Sequence, residues 1–221
     1  MSAALDRLRN LFPPVVLPGE SGPVGVPSRW SRTALAGRLS ELSGGVAPAG
    51  LTLAMALVWE AQREGEPVAW IAGPVSGPRG GFYPLDAAAN GVDLEALAVV
   101  RVPDALAAAR AASRLARSGA FGLIVLDLGQ NARIPIALQG RLAQQALRHD
   151  AAIVCLTEKP ARAAIDPQDG GLGSLISLRG QATRRGVGGN RFSCTLAVSK
   201  DKRKGAGWTH DEVCHGPPGL R

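Results

Sequence analysis

From Arg38 to Thr157, short apolar runs alternate with helical stretches, and this alternation restricts the fold more than any other feature of the chain. The apolar runs are Leu39–Leu42, Val68–Ala72, Leu97–Val102, Gly122–Asp127 and Ala151–Thr157. Between them the spacing predicts helices at Leu51–Glu64, Pro84–Asn90, Pro103–Ser118 and Pro135–Asp150. Pro103 and Pro135 stand at helix starts, where a missing N–H does no harm. Strands without polar alternation are covered on both faces, and strands that alternate with helices form a mostly parallel sheet. The expected class is therefore α/β. After Asp166 the pattern changes: "SLISLRGQATRR" and "NRFSCTLAVSK" flank "GVGG" and read as a C-terminal β-hairpin.

The ends of the chain have a different character. Leu5, Leu8, Leu11 and Phe12 fall at helical spacing, so residues 1–12 read as an amphipathic helix. "PPVVLPGESGPVGVP" holds five prolines and three glycines, which makes residues 13–30 an extended linker. The core domain is expected at 31–204. Residues 205–221, polar and rich in Gly and Pro, read as a flexible tail that orders on contact with a partner. In that tail Trp208 is the expected anchor for a partner's pocket.

No apolar run approaches the ~20 residues of a membrane helix. Asp6, Arg7 and Arg9 stand where an export signal would be apolar. Three cysteines, odd in number and far apart, fit a reducing cytoplasm. Charge is concentrated: residues 179–221 hold nine basic and three acidic side chains, so six of the seven net positive charges lie there. A basic region of this kind suits a polyanion, most often nucleic acid. If the hairpin strands pair across "GVGG", Arg184, Arg185, Lys200, Lys202, Arg203 and Lys204 are expected to converge into a DNA-binding patch. Arg110, Arg114 and Arg117 recur along one helix face and read as a solvated face.

Residues 44–52, "GGVAPAGLT", lie between a strand and a helix, the place of a phosphate-binding loop. A working loop of the form G-x-x-x-x-G-K-[ST] needs a lysine for the outer phosphates and a hydroxyl for magnesium. Counting from Gly44, those positions hold Ala49, Gly50 and Leu51, and no lysine occurs before Lys159. Pro48 removes a backbone donor, and Thr52 is one residue late, so its hydroxyl is expected to point elsewhere. The loop is degenerate. No ATPase activity, nucleotide cofactor or metal is expected from it. His210, Cys214 and His215, with Cys194 as the nearest fourth ligand, fall short of a zinc motif. Cys155 reads as an inert core residue.

The words around the loop resemble RecA, the bacterial recombinase. "GRLSELSGG" followed by "AQREGEPVAWI" is similar to its strand, loop and helix at the ATP site. "GVDLEAL" and "LARSGAFGLIVLDL" are similar to its next segments, which end in the Walker B aspartate, here Asp127. "GGLGSLISLRGQATRR" is similar to the stretch after its second DNA-binding loop. The matches run in order from about Gly37 to Arg185. The catalytic glutamate after "VAWI" falls in "AGPVSG", which has no acid, and the glutamine that senses the γ-phosphate falls in "LTEK" at Glu158. A shortened, catalytically empty RecA-like chain resembles the ImuA family, also described as SulA-like. The resemblance implies a RecA-like core in a non-catalytic adaptor of damage-induced translesion DNA synthesis. Implied partners are an ImuB-type Y-family-like protein and an error-prone DnaE-type polymerase, with RecA, single-stranded DNA and self-association as further expectations. It also implies a cytoplasmic location, at the nucleoid when DNA is bound. Two alternatives stay open: a SulA-like inhibitor of cell division, and a DNA-binding modulator of recombination.

Overall fold

The computed structural model describes residues 30–45, 48–73, 81–130, 132–158 and 172–215. The N-terminal helix with Leu5, Leu8, Leu11 and Phe12, and the linker up to residue 29, lie outside these described residues. So do residues 216–221.

In chain order the elements are α1 (Arg32–Leu35), β1 (Arg38–Gly44), α2 (Gly50–Arg63), β2 (Val68–Ala72), α3 (Pro84–Ala89), β3 (Leu97–Arg101), α4 (Ala105–Ser118), β4 (Leu123–Gln130), α5 (Ile136–His149), β5 (Ala152–Glu158), β6 (Leu178–Gly188), β7 (Arg191–Asp201) and β8 (Thr209–His215). Eight strands form one sheet in the order β3-β2-β4-β5-β1-β6-β7-β8. From β3 to β6 every neighbouring pair is parallel; β6, β7 and β8 are antiparallel. The fold is thus α/β with a mostly parallel sheet and a C-terminal hairpin, as the alternation predicts.

The apolar runs become central strands because both their faces are covered. One face packs under α2, with Leu53, Leu57, Trp70 and Trp30 in its core. The other packs under α4 and α5. α4 approaches the sheet through Ala108, Ala109, Ala112 and Ala116, none more than 1% exposed. Its start is set by Asp104, whose Oδ1 accepts from the Ala107 N–H at 2.7 Å, and its end by Gly119 at φ +70°. At α5, Pro135 immediately precedes the first helical residue, and Asp150 closes the helix at φ +53°. Among the described residues no helix is long and apolar enough to cross a membrane.

Three differences from the sequence expectation have local causes. Trp30, assigned to the linker, is buried, and its Nε1 donates to the Leu53 carbonyl at 3.4 Å. α1 is four residues long, too short to show a helical period. Its start is capped by Ser31 Oγ, which accepts from the Ala34 N–H at 3.1 Å. The hairpin turn falls at Gly189 and Asn190 rather than across "GVGG", because β6 continues to Gly188, paired with Arg191.

The tail expected at 205–221 also needs correction. Thr209–His215 is β8, an edge strand paired with β7 from Ala197↔Thr209 to Arg191↔His215. Its burial alternates along the strand, but its residue types (Thr-His-Asp-Glu-Val-Cys-His) do not, so neither periodicity nor composition marks it as a strand. Trp208, expected as a partner anchor, packs in the chain's own core. It is 9% exposed, and its Nε1 donates to Asp201 Oδ2 at 3.1 Å.

Candidate functional site

In an open α/β sheet, ligands bind beyond the carboxyl ends of the strands. Here β1, β5 and β4 end side by side, with Gly44 opposite Glu158 and Gln130 opposite Glu158 on the other side. The degenerate loop, Asp127 and Glu158 therefore lie along one edge, although they are far apart in sequence. The loop leaves β1 at Gly44 and enters α2 at Gly50.

A phosphate cradle needs free N–H groups at this point. The Ala49 N–H is instead donated to the Ala182 carbonyl of β6 at 3.2 Å. Pro48 bridges Thr183 in antiparallel fashion. Both contacts form because β6 runs on past the end of β1, whose pairing with it stops at Gly44↔Ala182. Ala49 is 1% exposed and Gly50 is buried. Leu51 is half-buried and packs against the core. The Thr52 hydroxyl meets the Cys194 thiol of β7. Glu158 adds a carboxylate directly beside the loop strand.

Asp127 is 9% exposed, just before an irregularity in β4 between Asp127 and Gly129. The Gly73 N–H donates to the Asp127 carbonyl at 2.9 Å. A Cβ at position 73 would lie 2.7 Å from that oxygen, so β2 and β4 close on each other where only glycine fits. The Cys155 thiol is fully buried, and burial, aided by Glu41, pushes its pKa well above the usual range. Cys155 is expected to resist thiol alkylation under native conditions and to react only on unfolding, as mass spectrometry of labelled protein would read.

No protein-family model matches this chain, and no curated protein matches it.

The expected DNA patch does not assemble. Lys200 lies opposite Arg179 at one end of the hairpin, whereas Arg184 and Arg185 lie opposite Cys194 and Ser193 near its turn. At the usual rise per strand residue the two groups are roughly 20 Å apart. Several of the charges also serve the fold. Arg203 Nη1 donates to the Ala36 carbonyl at 2.9 Å, and Lys200 Nζ to the Ser174 carbonyl at 2.9 Å. Lys202 and Lys204 remain exposed, and the Arg184 guanidinium sits over the Phe192 ring. Hairpin pairing joins residues by register, and this register sets the two basic clusters at opposite ends.

Two buried ion pairs escaped the sequence reading. Glu41, in the middle of β1, is fully buried and accepts from Arg179 Nε at 2.6 Å, Thr157 Oγ1 at 3.0 Å and the Leu172 N–H at 3.3 Å. Arg38, at the start of β1, donates to Asp201 Oδ1 at 2.5 Å, with both side chains at most 1% exposed. Charged residues inside the strand "RLSEL" were the available signal, since a lone charge in a doubly covered strand needs a partner. Both pairs tie β1 to β6 and β7, the strands that close the loop.

Proposed function

We propose that this chain is a non-catalytic accessory protein on a RecA-like core, acting as an adaptor in damage-induced translesion DNA synthesis. The observation that carries the non-catalytic part is the Ala49 N–H donated to the Ala182 carbonyl. The amide that would face a phosphate holds β6 instead. The sequence changes at positions 49–51 support the same reading, as does Glu158 beside the loop. The RecA-like part is supported by β1, β4 and β5 presenting the phosphate-loop, Asp127 and Glu158 positions along one edge of the sheet. The translesion role rests on the resemblance to the ImuA family, with an ImuB-type protein and a DnaE-type polymerase as partners.

Magnesium ATP at millimolar concentration is expected to leave the melting temperature unchanged and to yield no phosphate release. The double substitution Gly50→Lys and Leu51→Thr is expected not to restore binding, because Pro48 and Ala49 remain engaged by β6. Hydrolysis by the unmodified protein would overturn the non-catalytic reading. The adaptor role is tested by a tagged pull-down from the native cell after DNA damage. Recovery of the polymerase components supports it. Recovery of the tubulin-like division protein without them replaces it with the division-inhibitor alternative.

A further inference from the structure

Helices α4 and α5, which cover the second face of the sheet, contain no acidic residue between Ala105 and Ser118 or between Ile136 and His149. They pack side by side, and the furrow between them is a groove of about 380 Å³. Arg110, Arg114 and Arg117 of α4 and Arg141 of α5 line it, together with Ser113 and Gln145. Buried Ser113 donates through its hydroxyl to Gln145 Oε1 at 3.2 Å, which links the two helices. All four arginines are exposed, and among the described residues none is paired with a carboxylate.

A merely solvated helix face has a different pattern. Such faces mix signs, and acid–base pairs three or four residues apart stabilise the helix, whereas like charges at that spacing destabilise it. Here Arg110 and Arg114 stand at i, i+4, Arg114 and Arg117 at i, i+3, and Arg141 faces them from the neighbouring helix. An anion seated between them would relieve that repulsion.

We propose that this groove binds the phosphodiester backbone of a single-stranded nucleic acid. Arginine offers a planar fork that meets phosphate oxygens two at a time. The three arginines of α4 extend over about 10 Å of helix, enough to follow successive phosphates. One row of arginines on α4 with Arg141 opposite offers contacts to a single phosphate backbone. Among the described residues Leu138 is the only apolar one lining it, so they supply few of the anchors of a protein interface. None of the described residues lining it is aromatic, so the contact is to the backbone and tolerant of sequence. The inference rests on these side chains and not on the translesion reading, and the two fail separately: the pull-down tests one and direct binding the other.

The test is fluorescence anisotropy of labelled oligothymidylate with the full chain, across about 50 to 200 mM salt. With four phosphates neutralised, the logarithm of the affinity is expected to fall with the logarithm of salt at a slope of about −3. The Arg114→Gln/Arg141→Gln variant is expected to bind several-fold more weakly at low salt, with a slope shallower by about 1.4. Its melting curve should match the parent's, since both side chains are exposed; were it to melt early, Arg110→Gln/Arg117→Gln provides the same test. The Arg184→Gln/Arg185→Gln variant is expected to keep the parental slope. Absence of binding by the parent, or a parental slope in the groove variants, overturns the proposal. Labelled polyglutamate binding as tightly as the oligonucleotide would assign the groove to an acidic polypeptide and overturn it as well.

Discussion

Replacing Asp201 by alanine is expected to lower the stability of the protein by about 3–5 kcal/mol, the usual result of stranding one partner of a buried ion pair. Arg38 would keep its charge with its side chain only 1% exposed. The loss extends beyond that pair. Asp201 also accepts from the Arg203 N–H at 2.9 Å, the Lys204 N–H at 3.1 Å and Trp208 Nε1 at 3.1 Å. One carboxylate thus holds β1, the β7–β8 turn and the tryptophan that opens β8. For a chain of this length the loss corresponds to a fall of roughly 10 °C in melting temperature. The double substitution Arg38→Met/Asp201→Leu is expected to recover part of it, because no unpaired charge remains. A single variant that melts with the parent would show the pair to be dispensable.

The same carboxylate makes the fold sensitive to acid. Burial alone would raise the Asp201 pKa, but the Arg203 N–H, the Arg38 guanidinium and the Lys204 N–H outweigh it and hold the group at about 2. Its folded value is below its ordinary one, so its contribution is present above about pH 4 and is lost as the pH falls toward 2. That contribution is on the order of 2 kcal/mol. The stability difference between the parent and the Asp201→Ala variant in urea unfolding should therefore narrow by about 2 kcal/mol between those pH values. A constant difference across them would mean that Asp201 does not titrate as its contacts require.

Truncation after Gly207 is expected to destabilise the whole sheet. It removes Trp208, which packs in the main core, together with β8 and its buried Cys214. Loss of a buried tryptophan side chain alone costs about 3–5 kcal/mol. The cut also bares β7 as a new sheet edge, a site for aggregation. Melting should fall by roughly 10 °C or more, with loss of solubility on heating. A detachable tail would give the opposite outcome, an unchanged melting curve. Partner contacts are therefore better sought by substitution at exposed positions of β8, such as Val213, which is 41% exposed.

The parallel sheet was legible because its signal is local. Val68–Ala72 was placed with its exact bounds, since an apolar run that short and that uniform has few alternatives in an alternating chain. β8 was missed for a related reason. Only its burial alternates, with Cys214 inward and its neighbours outward; its residue types do not, and the glycines and prolines beside it read as loop. Degeneracy of the phosphate loop was likewise readable at positions 49, 50 and 51, because side-chain chemistry is written residue by residue.

Where the chain's charges end up depends on register and packing, which no window of sequence contains. Hairpin pairing separates Arg184 and Arg185 from Lys200–Lys204, although all six lie within about one hairpin of sequence. Helix packing does the reverse, bringing Arg141 to three arginines some 24 to 31 residues earlier. Closure of the loop belongs to the same class: Ala49 meets Ala182 across more than half the chain. Patterning thus determined the α/β class and the missing motif residues of the loop, because both follow from residue type and spacing. Tertiary contacts determined which cations meet and what holds the Ala49 N–H, because those depend on distances between segments that only the folded sheet brings together.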